Sequence, residues 1–86
     1  MATLHIVNRA SALASCLTLA APQDAVLLIE DGVYAGVATA SRQLLALEDD
    51  VAARGLLDRM SESVRLVSYA GFVDLVVDHQ PIASWR

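Results

Sequence analysis

The residues Ala25-Val26-Leu27-Leu28-Ile29-Glu30-Asp31-Gly32 set the architecture of this chain. Five apolar residues follow one another and are closed by two acids and a glycine. A strand with one solvated face would alternate apolar and polar residues, so an unbroken run predicts a strand buried on both faces. Such a strand lies inside a parallel sheet, whose neighbouring strands need crossovers of a dozen or more residues. The other apolar runs are therefore expected to form strands separated by helices.

Apolar runs and helical spacing place the other elements on either side of this strand. Residues 4–8 predict a first strand, and the Ala- and Leu-rich residues 10–21 predict a helix that Pro22 ends. Near the other end of the chain, apolar and polar side chains alternate over residues 63–68, which predicts a partly exposed edge strand. Residues 69–77 have apolar side chains at helical spacing and predict a helix packed on the sheet.

Residues 33–57 allow two interpretations. Propensity alone predicts one helix over residues 38–53. The alternative is a short helix at 33–38, a strand at 43–47 and a helix at 49–54 that Gly55 ends. The acids at 48–50 favour the alternative, because acids concentrate in the first turn of a helix. The strand boundaries within residues 38–48 stay open at this point.

Composition points to a protein partner. The 86 residues are enough for one domain, predicted to span 1–86, with a thin core. Yet 56% of them are hydrophobic and the mean hydropathy is +0.50, so apolar surface is expected to remain exposed. No uncharged apolar stretch is long enough for a membrane-spanning helix, which favours a protein interface. The terminal Trp85 is likewise expected to pack against the domain or a partner.

The charge pattern argues against direct nucleic-acid binding. The net charge is −4, and the six basic residues are arginines spread singly along the chain. The amino-terminal residues lack the basic and apolar regions of a secretory signal, and a single cysteine cannot form an internal disulfide. These features predict a cytoplasmic protein.

Few residues are candidates for chemistry. Cys16, the only thiol, lies among apolar neighbours in the first predicted helix and is expected to be a buried or interfacial small hydrophobe. His5 and His79 with one cysteine match no zinc or nucleophile spacing, and no phosphate-binding glycine loop is present. His79 is interpreted as a favourable charge at a helix end, and Asp31-Gly32 as a strand-to-helix turn. No catalytic residue, cofactor or metal site is predicted, with Cys16 the one weak candidate.

Several stretches together resemble the TusB/DsrH family of sulfur-relay proteins. They include Leu4-His5-Ile6-Val7-Asn8, the block Leu27-Leu28-Ile29-Glu30-Asp31-Gly32-Val33-Tyr34, Asp50-Val51-Ala52-Ala53-Arg54-Gly55-Leu56, Tyr69-Ala70-Gly71-Phe72-Val73-Asp74-Leu75, His79 and Trp85. The resemblance runs nearly from end to end. It implies a DsrE-like α/β fold of three layers, a mostly parallel four-stranded sheet with helices on both faces, and it favours the strand at 43–47.

The resemblance also implies a biochemical setting. Family members form cytoplasmic heterohexamers with TusC/DsrF-like and TusD/DsrE-like sister subunits. In these complexes sulfur passes as a persulfide from a TusD/DsrE cysteine to a TusE/DsrC-like carrier. One branch of the family serves 2-thiouridine formation at the wobble position of tRNA, and the other serves dissimilatory sulfur oxidation. Neither branch implies direct nucleic-acid or membrane binding by this subunit.

Alignment with the sister subunits places Leu47 where TusD/DsrE carries its persulfide cysteine. The acids Glu48, Asp49 and Asp50 follow it and would raise the pKa of a thiol there. A non-catalytic supporting subunit of the tRNA branch is therefore the favoured hypothesis. The alternative is a DsrH-type subunit of sulfur oxidation with Cys16 as an accessory thiol or persulfide carrier. A free-standing ligand-binding protein is disfavoured, since a phosphate-binding loop is missing.

Overall fold

A computed structural model describes residues 2–86 as a five-stranded parallel sheet with helices on both faces. The elements, in chain order, are β1 (Leu4–Arg9), a 3-10 turn (Ala10–Ala12), α1 (Leu13–Leu19), β2 (Ala25–Asp31), a 3-10 helix (Gly32–Val37), β3 (Leu44–Leu47), α2 (Glu48–Ala53), β4 (Val64–Val67), α3 (Tyr69–Asp78) and β5 (Ile82–Trp85). The strand order is β4-β3-β2-β1-β5, and every pair is parallel. The apolar run at residues 25–29 thus lies in the middle strand of the sheet, as predicted.

Strand register assigns side chains to the two faces. Val7 pairs with Leu28, which in turn pairs with Ala46, so these three residues share what we call the first face. Cys16 of α1, Val33 of the 3-10 helix and Val51 of α2 pack in the same buried cluster, and their elements therefore cover the first face. The connections from β1 through β4 run along this side in one direction, as right-handed crossovers require.

The opposite face, called here the second face, carries Leu4, Leu27 and Leu45 in the same register. Leu4 and Leu27 are fully buried. Val67 of β4 pairs with Leu47 of β3, which lies two residues after Leu45 and therefore points to the second face. Gly71 of α3 lies close to the Val67 side chain. Helix α3 therefore covers the second face. It carries the chain from β4 at one edge of the sheet to β5 at the other.

The ambiguous middle segment follows the second interpretation. β3 covers Leu44–Leu47, α2 covers Glu48–Ala53, and Gly55 follows with a φ of +68°. The single helix over residues 38–53 is wrong, because Leu44 and Ala46 are fully buried between neighbouring strands. β4 lies at an edge of the sheet, as its partial alternation predicted.

Two predicted details differ from the structure. The sheet has five strands, not four, because residues 82–85 pair with β1 in register. The first α-helix ends at Leu19 instead of residue 21, since the Asp24 carboxylate accepts the Ala21 N–H at 2.9 Å and holds the following residues in a turn.

Candidate functional site

The carboxyl edge of the sheet is the place where open parallel sheets usually build their sites. Glu30, near the end of β2, has a φ of +48°, and its N–H donates to the Asp50 carboxylate at 2.7 Å. Arg54 Nε donates to Asp31 Oδ1 at 3.0 Å, and Nη2 of the same guanidinium forms an ion pair with this oxygen at 3.0 Å. These contacts tie the turn after β2 to helix α2. The predicted strand-to-helix turn is present, and the carboxylate of Asp31 is bonded to Arg54 of the same chain.

The junction between β3 and α2 contains no nucleophile. Leu47 ends β3 and is 9% exposed, and Glu48, Asp49 and Asp50 form the first turn of α2. The acids suit a helix N-terminus electrostatically. They would destabilise a thiolate at the same place, since like charges disfavour one another. This edge therefore has structural contacts and no candidate for sulfur chemistry.

Cys16 lies in α1 and is fully buried, as the sequence predicted. It packs in the cluster of the first face with Val7 and Val26, and Leu13 and Leu17 border the cluster. Burial raises the pKa of the Cys16 thiol, the Arg42 charge opposes this shift, and the Asp24 charge adds to it. A thiol in this setting is a poor nucleophile and is not accessible to a donor of sulfur.

A polar cluster that sequence reasoning missed lies at the amino edge of the sheet. His5 is 5% exposed and lies in β1, Asp24 precedes β2, and Trp85 ends β5. The His5 Nε2 lies 2.9 Å from Asp24 Oδ2, and the Trp85 indole N–H donates to His5 Nδ1 at 3.0 Å. The cluster thus links β1, β5 and the turn before β2 through one imidazole.

The chemistry of these groups fixes the state of His5. An indole N–H can only donate, so Nδ1 must carry a lone pair. The proton of the neutral imidazole then resides on Nε2 and is donated to Asp24. Both ring nitrogens are used, and no lone pair of His5 faces a substrate. We assign the cluster the role of joining β5 to β1 and to the turn before β2.

Asp24 is the acceptor at the centre of this edge. Its carboxylate accepts from the Thr3 N–H at 2.9 Å, from His5 and from the Ala21 N–H, and these bonds, Thr3 first, lower the pKa of Asp24 to about 2. Its backbone carbonyl accepts from Arg42 Nη2 at 2.6 Å. The side chain is 8% exposed. Asp24 therefore holds the turn between α1 and β2 most strongly while it is ionised, because protonation weakens its oxygens as acceptors.

Acid is expected to open this turn. Because the folded-state pKa of Asp24 is lowered from 3.8 to about 2, its contribution to stability is complete above the ordinary pKa and is lost as the pH falls toward about 2. The free energy of unfolding should therefore decline over this interval, and Asp24→Asn should flatten the decline. Urea unfolding of the wild type and of Asp24→Asn at a series of pH values measures this decline in the free energy of unfolding. An equal decline in Asp24→Asn would contradict the assignment.

His79 follows α3, and its Nδ1 lies 2.8 Å from the carbonyl oxygen of Leu75. The ring thus binds the last turn of the helix, which agrees with its interpretation as a helix-end residue. Within residues 2–86, no group of three or more His, Cys, Asp or Glu side chains is arranged to hold a metal ion. No helix in the described part of the chain has the length and apolar character to span a membrane.

Apolar surface remains exposed after folding. Among residues 2–86, nine large hydrophobic side chains are more than a third exposed: Leu19, Tyr34, Val37, Leu57, Leu66, Tyr69, Val73, Val77 and Ile82. Exposure on this scale in so small a chain is typical of a surface that binds another protein. An interaction surface is therefore the candidate functional feature, whereas the buried side chains of His5 and Asp24 are bonded within the fold.

Comparisons with known proteins agree with the sequence resemblance. The family model described as "DsrH like protein" matches residues 8–82. Protein TusB of Yersinia pestis (strain Pestoides F) is 39% identical over 82 aligned residues, with 85% of this chain and 86% of the relative covered. Protein TusB of Yersinia pseudotuberculosis serotype O:1b (strain IP 31758) matches with the same identity and coverage.

Proposed function

This chain belongs to the TusB/DsrH family, and from that membership we propose that it is a non-catalytic subunit of a cytoplasmic sulfur-relay complex. Its partners are TusC/DsrF-like and TusD/DsrE-like sister subunits in a heterohexamer. The complex passes persulfide sulfur to a TusE/DsrC-like carrier. The name shared by the curated relatives, TusB, supports the tRNA branch, in which the sulfur ends in wobble 2-thiouridine.

The burial of Cys16 carries the proposal that this subunit is supporting. A persulfide carrier needs a thiolate that can reach a donor and an acceptor, whereas the only thiol of this chain is fully buried and burial raises its pKa. The junction after β3 offers Leu47 and three acids instead. The alternative, in which Cys16 carries sulfur for an oxidation pathway, would require α1 to leave the core.

Co-expression with the sister subunits tests this function. We expect tagged chain to purify with a TusC/DsrF-like and a TusD/DsrE-like protein of the same genome in equal amounts, since the exposed apolar side chains need a partner surface. Gel filtration with light scattering measures the stoichiometry. A chain that stays monomeric in the presence of both sister subunits would contradict the proposal.

A further inference from the structure

Helix α3 is apolar over most of its surface, with Asp74 and Asp78 on one side, but has no buried residue. Eight of its ten residues, Tyr69–Val73 and Leu75–Val77, are apolar or glycine, and each side chain keeps at least part of its surface exposed. Its inner side rests on the second face of the sheet near Val67. An apolar stripe on a helix is normally packed against another part of a protein. The outer side of α3 is thus incompletely covered by its own chain.

The exposed apolar residues of α3 form one continuous stripe. Tyr69, Val73 and Val77 are spaced by four residues and are 62%, 44% and 72% exposed. Residues at this spacing lie above one another on a helix. Ile82 of β5 is 40% exposed and pairs with Leu4 of the second face, so it points to the side of the sheet on which α3 lies. We call Tyr69, Val73, Val77 and Ile82 the α3 stripe.

Negative charge borders the stripe on one side. Asp74 and Asp78 follow Val73 and Val77 directly, and both are exposed. Helix α3 contains no basic residue, and neither aspartate forms an ion pair within residues 2–86. A complementary surface would therefore be apolar and carry arginine or lysine along one flank. A second copy of this chain, with the same two carboxylates and a net charge of −4, fits poorly.

We propose that the α3 stripe binds a helix of a sister subunit whose apolar face is flanked by basic residues. The inference rests on the proposed function and adds the surface by which this chain joins the complex. The stripe from Tyr69 to Val77 is about 12 Å long at 1.5 Å per residue, which suits two turns of a partner helix. Ile82 extends the contact onto β5.

A matched pair of charge substitutions tests the stripe. Val77 and Leu19 are each 72% exposed, and each lies in the last turn of its helix, but Leu19 belongs to α1 on the opposite side of the sheet. We expect Val77→Asp to weaken binding of the co-expressed sister subunits about tenfold or more, and Leu19→Asp to leave it unchanged. Affinity capture with a tag on this chain, quantified at several concentrations, gives the comparison.

Reversal of charge tests the predicted partner chemistry. Asp74→Lys with Asp78→Lys should also weaken binding, and the wild-type association should weaken as salt is raised, because the contact pairs opposite charges. Circular dichroism of each variant verifies that α3 is still folded. Binding that does not respond to either change would exclude a basic flank on the partner.

The outcomes separate the two proposals. If wild-type chain binds the sister subunits and Val77→Asp binds them equally well, the α3 stripe is not the docking surface and the proposed function stands. If Leu19→Asp loses binding and Val77→Asp does not, the docking surface lies on the first face. If wild-type chain binds neither sister subunit, both the function and the occupant of the stripe are wrong.

Discussion

Gly32→Ala is expected to lower the free energy of unfolding by about 3 kcal/mol or more, enough to unfold most of a marginally stable domain. A Cβ added at Gly32 would lie 2.1 Å from the backbone oxygen of Val7 and 2.8 Å from its carbonyl carbon. Neither atom can move without displacing β1, which is fixed between β2 and β5. Gly32 therefore allows the 3-10 helix to pass directly against the end of β1.

Gly55→Ala is the matched control, since nothing lies within 4 Å of the Cβ that it would add. Its φ of +68° costs an alanine about 1 kcal/mol. Urea unfolding followed by circular dichroism compares the two variants. If both variants lose the same free energy of unfolding, the close approach of Gly32 to Val7 does not exclude a side chain at position 32.

Trp85→Ala is the second large expected effect, with a loss of about 2–4 kcal/mol. The indole packs against the core of the first face and donates to His5 Nδ1 at 3.0 Å. Removal of the ring would expose the neighbouring core and leave a buried imidazole nitrogen without its donor. Because Trp85 ends the edge strand β5, we also expect β5 to detach from β1.

Trp85→Phe separates packing from hydrogen bonding, because it keeps an aromatic ring and removes the N–H. A cost of about 1–2 kcal/mol is expected from the unpaired His5 nitrogen. Hydrogen exchange of the β1 and β5 amides, read with urea unfolding, distinguishes the variants. A Trp85→Ala chain as stable as wild type would show that the terminal strand contributes nothing to the fold.

The strands of the middle of the sheet could be predicted because their side chains alone reveal burial. The run at residues 25–29 of β2 is apolar on both faces, and Leu44–Leu47 follows the same rule over a shorter length. The acids of α2 mark where β3 must end, and Gly55 marks where α2 stops. At these residues, the structure that the local sequence predicts is the one that the whole fold adopts.

The fifth strand could not be predicted, because its four residues show neither an unbroken run of large apolar side chains nor a clean alternation. Residues 82–85 carry alanine and serine between two large apolar side chains, and only their pairing with β1 makes them a strand. The same is true of the 3-10 geometry at Gly32–Val37, which depends on the approach of Gly32 to Val7 and not on propensity.

The cluster of His5, Asp24 and Trp85 left a partial signal. A histidine between leucine and isoleucine in a buried strand requires a polar partner, and Asp24 immediately precedes the neighbouring strand. These two residues could have been paired from the register of β1 and β2. Trp85 could not, because its place depends on β5. For Cys16, by contrast, the apolar neighbours in the sequence were enough to predict its burial.

Persulfide transfer by the reconstituted complex with Cys16→Ser tests the supporting role of this subunit most directly. We expect the variant complex to deliver sulfur to the TusE/DsrC-like carrier at the wild-type rate, because the buried thiol takes no part in transfer. Cys16→Ala serves as a second variant, since it places no hydroxyl in the core. Loss of delivery in both variants, with the heterohexamer intact by gel filtration, would contradict the supporting role and identify Cys16 as a sulfur carrier.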